Sequence, residues 1–315
     1  MMRAKRVLVT GSGGFTGAAM VRFLLKQDVE IFSMGVRSYA EDEKPHGILR
    51  HCQVDITNAA HIEAVLRSIQ PDAIFHLAGV VRSPDPQEFY RVNTQYAAAL
   101  FTALEQSNLC IPTLVVGTAA EVGTPTPEQL PICEDMPPKP LEHYGISKLA
   151  QTHIALAAWQ RRQQPVVVAR PSNIIGVGMP NHFVVQNFVR QIAAILRGVQ
   201  EPVVRTGNLE SARDFIPVEI VVEAFWQLLH LPSAFGEVVN VCSGSATPIA
   251  EVLSTLIMLA GQPIRHELDP ALYRSVDVPV HYGSVAKFER LVGWKPSFSL
   301  HSVLQHLLTT SMKAL

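Results

Sequence analysis

Tyr144 and Lys148 stand four residues apart in EHYGISKLAQ, a spacing that puts both side chains on one face of a helix. A phenol with an unperturbed pKa of about 10 is a poor proton donor or acceptor near neutrality. A nearby ammonium favours the phenolate and brings proton transfer into range. Tyr and Lys at this spacing occur in many helices by chance, so the pair alone would carry no function. Two further groups accompany it. Thr118 ends the apolar run TLVVGT (113–118), 26 residues before the tyrosine. Near the amino terminus, VLVTGSGGFTGAAMVRFLL sets Gly11, Gly14 and Gly17 directly after one apolar run and at the opening of a helical pattern.

That glycine spacing suits a dinucleotide: Gly11 for a tight turn, Gly14 for backbone approach to a pyrophosphate, Gly17 for close helix packing, with the helix amino terminus favouring phosphate charge. Roughly 20 residues on, where an acidic side chain would hold the ribose of NAD, the chain has Arg37 in SMGVRS. A guanidinium there suits the 2′-phosphate of NADP. The competing reading makes Arg37 an ordinary surface residue, with Glu41 or Asp42 turning back to the ribose. Asp55, after the third strand, is placed to hydrogen-bond the adenine, and HLAG at 76–79 to line the phosphate side. His76 itself reads better as a satisfied buried imidazole than as a ligand.

The elements that must position these groups are legible as runs. Apolar segments at 6–10, 29–34, 51–55, 73–78, 113–118 and 165–170 alternate with helical patterns at 14–27, 58–70, 87–107 and 144–161. Continuous apolar strands separated by amphipathic helices predict a parallel sheet covered on both faces. The expected fold is therefore α/β, a Rossmann-type doubly wound sheet with a smaller carboxyl-terminal lobe over the carboxyl ends of the strands, where such sheets bind ligands. The rhythm changes after Arg170, giving expected bounds of 1–170 with 214–245 for the dinucleotide-binding domain, and 171–213 with 246–315 for the lobe. A further helix is expected at 183–196.

Composition narrows the partners. With 26 Lys+Arg against 27 Asp+Glu the formal charge is −1, and the dispersed basic residues lack the footprint of a nucleic-acid or anionic-membrane binder. A small-molecule partner is expected, with no nucleic acid and no membrane. Charged residues make up 17%, below the roughly 25% usual in soluble domains, which leaves apolar surface for an oligomer interface. Cys52, Cys110, Cys133 and Cys242 are far apart with no CxxC pair, so no metal site and no disulfide framework is expected, and a reducing cytoplasmic setting fits. The apolar run before the first glycines is too short for a signal-peptide core or a membrane span.

Glycine loop, strand-end hydroxyl and Tyr-x-x-x-Lys in this order resemble the extended short-chain dehydrogenase/reductase family, in its nucleotide-sugar branch. In that family the catalytic hydroxyl sits five residues before a closing glycine, here Gly123, which matches Thr118. The blocks ARPSNIIGVGMPNHFVVQNFVRQI, GNLESARDFIPVEIVVEAFWQLL, GEVVNVCSGSATPI, YRSVDVP and GWKPSFSL resemble the GDP-4-keto-6-deoxy-D-mannose reductases, which form GDP-D-rhamnose. The resemblance implies Thr118, Tyr144 and Lys148 as catalytic. It implies cofactor contacts from Gly11, Gly14, Phe15, Thr16, Gly17, Arg37, Asp55, Ile56, Leu77, Ala78, Gly79, Asn93 and Pro171 besides Tyr144 and Lys148. For the nucleotide-sugar substrate it implies Ser83, Asn173, Asn208, Arg213 and Arg274. Two arginines and an amide are reasonable partners for a diphosphate, although either arginine could instead serve a structural ion pair.

The residues after Thr118 separate the activities of the family. Its 4,6-dehydratases carry one or two carboxylates there, where this chain has Ala119 and Ala120, and a methyl group does no acid–base work. Glu121 is one position further on and, in an extended segment, points to the other face. Reductases of the mannose type usually keep an acid at position 120, a Tyr at 122 and Phe-Asn-His where this chain reads Ser172-Asn173-Ile174; Ile220 also replaces a commonly acidic residue. These departures lie near the sugar. The expectation is an NADPH-dependent 4-ketoreductase of a GDP-linked 4-keto-6-deoxy hexose. The alternatives are an NAD-dependent 4-epimerase, a dehydratase, or a dinucleotide-binding protein without chemistry. Relatives commonly form homodimers through two helices per subunit, here 87–107 and 144–161.

Overall fold

The computed structural model describes residues 5–37, 46–272 and 278–313. Its centre is a seven-stranded, wholly parallel sheet. β1 (Arg6–Thr10), β2 (Glu30–Gly35), β3 (Arg50–Gln53), β4 (Ala73–His76), β5 (Thr113–Val116) and β6 (Val166–Pro171) are joined by a last strand, Val238–Val241, which pairs with β6. The spatial order is Val238–Val241, β6, β5, β4, β1, β2, β3. The chain reverses direction across the sheet between β1 and β4, the crevice in which open α/β sheets take ligands.

The strands are apolar throughout because both faces are covered. Side chains alternate across the sheet: Val7, Val9, Val167 and Ala169 enter one core with helices Phe15–Leu24 and Val218–Leu229, while Leu8, Val166 and Val168 enter the other with Ala59–Ile69, Tyr96–Gln106 and His143–Arg162. Asn58 caps its helix by accepting from the Ala60 and His61 backbone, satisfying amides that the first helical turn leaves open.

A third core builds the smaller lobe, from helices Val184–Leu196, Ile249–Ala260 and Leu300–Lys313 around Phe188, Ile192, Phe215, Leu253 and Leu304. One segment of the expected lobe joins the sheet instead. Phe288, on helix Ala286–Val292, is buried in the first core, and that helix packs beside Val238–Val241.

The pattern at 87–107 is interrupted. It comprises a short helix Pro86–Phe89, a π-helical stretch Tyr90–Gln95 and helix Tyr96–Gln106. The extra residue per turn brings Asn93 and Thr94 onto the tyrosine-bearing helix: Asn93 Nδ2 donates to Ser147 Oγ at 2.9 Å, and Thr94 Oγ1 donates to the Ser147 carbonyl at 2.9 Å.

Candidate active site

The glycine loop runs from β1 into the helix Phe15–Leu24. Gly11 has φ +70°, and a Cβ there would meet backbone atoms of Ala78 at 2.7 Å; only a residue without a side chain takes that conformation cheaply. A Cβ on Gly17 would stand 2.0 Å from the Gly11 carbonyl oxygen. Gly14 precedes the helix in extended conformation, which leaves the first helical amides open at the carboxyl edge of the sheet. Phe15 and Thr16 are half-buried there, and Phe15 packs against Gly176. This cradle is closed by absent side chains, and it fits a pyrophosphate.

Around it stand the other expected cofactor residues. Asp55 and Arg37 are exposed, at the ends of β3 and β2 respectively; Ile56 is buried and Pro171 ends β6. Asp55 accepts from the Thr57 backbone and hydroxyl at 2.9 and 2.7 Å, bonds that hold its carboxyl below the usual range. His51 fixes the arginine's backbone, Nε2 to the Arg37 carbonyl at 2.8 Å. Leu77, Ala78 and Gly79 leave β4 beside the loop, and a Cβ on Gly79 would lie 3.8 Å from Lys148 Nζ. His76 is fully buried with Nδ1 bonded to Thr10 Oγ1 at 3.0 Å, while Nε2 has no hydrogen-bond partner among the described residues. Burial first, and then the Lys148 charge, push it down to about 3. It is a neutral core imidazole. Asn93 is buried as well; its amide clamps the Val80 backbone, at 2.8 and 3.0 Å, to Ser147.

The catalytic candidates converge. Helix His143–Arg162 presents Tyr144 and Lys148, and the Thr118 hydroxyl stands beside the Tyr144 phenol, close enough to favour its ionised form. Burial pushes the phenol up to about 12; the Thr118 hydroxyl opposes this and the Glu121 charge adds to it. Burial likewise lowers Lys148 to about 8, with Glu121 opposing. Lys148 Nζ donates to Gln151 Oε1 at 2.8 Å, and Gln151 Nε2 to the Val116 carbonyl at 2.8 Å, so the ammonium is anchored to the strand that carries Thr118.

The segment after Thr118 is a single 3₁₀ turn, Ala119–Glu121. The extended conformation that would have sent Glu121 to the far face is not adopted. Instead the side chain folds back and is fully buried: Oε1 accepts from the Thr118 amide at 2.8 Å, while Oε2 takes Thr152 Oγ1 and Arg170 Nη2, each at 3.1 Å. Sequence reasoning missed Thr152 and Arg170 altogether, since neither lies near Glu121 in the chain. It also missed His281, which lines a small cavity with Ala119 and which burial, with Arg213 nearby, lowers to about 4.

The substrate candidates are more scattered. Ser83 spends its hydroxyl within its own loop, donating to Glu88 at 2.8 Å and accepting from the Asp85 amide at 3.1 Å. Asn173 is exposed, its amide tied to the Asp214 carbonyl at 3.1 Å. Asn208 accepts from the Glu210 amide at 2.9 Å. Arg213 Nη1 donates to the carbonyls of Ala212 and Val278 at 2.9 and 2.6 Å, a backbone role beside any ligand role. Arg274, like Glu41 and Asp42, lies outside the described residues. The lobe also holds a cleft of about 510 Å³ lined by Arg190, Arg205 and Arg265 with Glu201, Glu267 and Asp269; the sequence pattern singled out none of them. Among the described residues, no helix is long and apolar enough to cross a membrane.

Residues 7–242 match the model of the NAD dependent epimerase/dehydratase family. The chain is 32% identical over 243 residues to a GDP-6-deoxy-D-mannose reductase of Pseudomonas aeruginosa, covering 76% of this chain and 80% of that one. It is 26% identical over 307 residues to a GDP-6-deoxy-D-talose 4-dehydrogenase of Aggregatibacter actinomycetemcomitans, covering 96% of each. Among solved structures, RMD from Pseudomonas aeruginosa complexed with NADPH superposes with a TM-score of 0.86 at 27% identity, over 99% of this chain and 100% of that one. The chain belongs to the NAD dependent epimerase/dehydratase family, an extended short-chain dehydrogenase/reductase and an oxidoreductase of nucleotide sugars.

Proposed function

We propose that this member of the family reduces the 4-keto group of a GDP-linked 4-keto-6-deoxy hexose with NADPH. The observation that carries the reading is the contrast within four residues: Thr118 stands beside the Tyr144 phenol and favours its ionised form, while the positions that would hold free acids are Ala119 and Ala120 and the nearby carboxylate of Glu121 is locked. Such a site can protonate an alkoxide. It offers no mobile group beside Thr118 to take a C5 proton or protonate a departing hydroxyl. Relatives named for GDP sugars support the choice of nucleotide.

The glycine cradle, with Asp55, Ile56 and the 77–79 segment, would hold the dinucleotide, and Arg37 would meet a 2′-phosphate. When bound, the nicotinamide supplies the hydride. The protein's own groups do the rest: Thr118 donates to the carbonyl oxygen, Tyr144 gives its proton as charge develops there, and Lys148 stabilises the tyrosinate and reaches the nicotinamide ribose. Asn173, Arg213 and Arg274 are proposed for the diphosphate. We place the enzyme in the cytoplasm as a homodimer formed through the helices at 86–106 and 143–162; a monomer by light scattering would contradict the dimer.

The test is NADPH absorbance decay with GDP-4-keto-6-deoxy-D-mannose made in the same tube, NADH run alongside. Loss with NADPH but not NADH supports both the reaction and Arg37. Tyr144→Phe should then cut turnover by about 10²–10⁴-fold while sparing NADPH binding. The same three groups also serve a 4-epimerase, the other activity in the family's description. Tightly bound NAD in the purified protein, with no net oxidation of sugar, would select that reading.

A further inference from the structure

The turn Ala119–Glu121 aims the catalytic hydroxyl, and its geometry determines what that hydroxyl can do. The Ala120 amide donates to Thr118 Oγ1 at 3.3 Å, occupying a lone pair. The single O–H is then left for one acceptor at a time, the Tyr144 oxygen in the free site and a substrate oxygen once one is bound. The turn is clamped from two sides. A Cβ on Gly145 would stand 2.6 Å from the Ala120 carbonyl oxygen, so the tyrosine-bearing helix rests directly on it. From below, Glu121 Oε1 holds the Thr118 amide and would clash, at 2.7 Å, with any side chain on Gly117.

We propose that Glu121 is the positioning residue of this site: its buried carboxylate, held by Arg170 and Thr152, fixes the turn so that Thr118 presents its hydroxyl as a donor to Tyr144. The inference rests on the reductase reading above. Stability alone does not account for the arrangement. Desolvating two charges costs several kcal/mol, and a buried pair is often replaceable by apolar side chains without loss. Here, moreover, Arg170 Nε and Nη1 are buried with no acceptor among the described residues. What the carboxylate provides and a packed leucine would not is the bond to the Thr118 amide. The direction of its charge agrees with a donor site, since Glu121 favours the protonated forms of both Tyr144 and Lys148.

The decisive variant removes both charges together. E121L/R170M should keep a melting temperature near that of the wild type, yet lose about ten-fold or more in kcat with KM and NADPH affinity unchanged. E121Q/R170M, whose amide oxygen can still accept from the Thr118 backbone, should recover most of the rate. In a T118A background, E121L/R170M should cost nothing further, because a residue acting through Thr118 is coupled to it. Additive losses, or a normal kcat in E121L/R170M, would overturn the proposal. A readout independent of any substrate separates its failure from failure of the reductase reading. In NADP-loaded protein with labelled threonine methyls, Thr118 should show one χ1 rotamer in the wild type and an average in E121L/R170M. If the wild type does not turn over the keto sugar, the function falls, and the rotamer measurement still decides Glu121. A single rotamer in both proteins would leave no positioning role.

Discussion

Two loops at the carboxyl edge of the same sheet are held by opposite means. The glycine loop after β1 closes because side chains are missing: Gly11 and Gly17 let backbone meet backbone at distances no Cβ allows. The turn after β5 closes because charges are present, with Glu121 reaching Arg170 on β6 and Thr152 on the neighbouring helix. The first device is local, and its parts lie within a few residues. The second joins three elements, and none of its partners is near another in the chain. A loop that must admit a ligand's phosphates gains from being bare, whereas a loop that must hold one hydroxyl in one orientation gains from directional bonds.

Removing one partner from each device ranks them. Arg170→Met leaves the fully buried Glu121 uncompensated and should cost about 3–5 kcal/mol of stability, read as a fall in the urea midpoint at unchanged slope. Gly17→Ala forces its new methyl on the Gly11 carbonyl, a strain of about 1–3 kcal/mol, and should weaken NADPH binding while Thr118 and Tyr144 stay in place. A larger loss from Gly17→Ala than from Arg170→Met would reverse the comparison. Thr152→Val removes a single hydroxyl donor from a carboxylate that keeps its guanidinium, and should cost about 1.5 kcal/mol. Equality with Arg170→Met would mean that the charge counts for no more than the hydrogen bond.

The same contrast explains what could be read from the chain alone. The strands, most helices and the glycine loop are set by periodicity and by residues a few positions apart, so their bounds agree with the structure to within a residue or two over most of the sheet. The turn after Val116 is not legible in the same way, because the 3₁₀ conformation is selected by a carboxylate whose partners lie 31 and 49 residues away. The π-helical stretch at Tyr90–Gln95 escaped for a related reason: its extra residue is stabilised by bonds to Ser147, 53 and 54 positions on. The Ser83 hydroxyl donates to Glu88, a local bond that residue type does not announce. The family resemblance carried Thr118, Tyr144 and Lys148 to positions that do converge, since helix spacing and strand ends are local features.

Among the described residues one support of the glycine loop titrates, and it gives the smallest effect. Thr10 Oγ1 is bonded to His76 Nδ1 and accepts the Ala78 amide at 3.2 Å, so the floor of the loop depends on a neutral imidazole. In the folded protein His76 is lowered to about 3, against about 6.5 for a free histidine. Between those values the unfolded chain binds the extra proton and the native state does not. The contribution is therefore present above pH 6.5 and is lost as the pH falls toward 3. From pH 6.5 to 5.5 the loss from this residue is about 1 kcal/mol. His281, lowered to about 4, adds a loss of the same sign beneath the Ala119 turn. Urea midpoints should thus decline with acidification in the wild type and less steeply in His76→Gln, where an amide can take the Thr10 hydroxyl without titrating. An unchanged pH slope in His76→Gln would place the acid sensitivity elsewhere, and would make the glycine loop, unlike the charged turn, independent of any ionisable group.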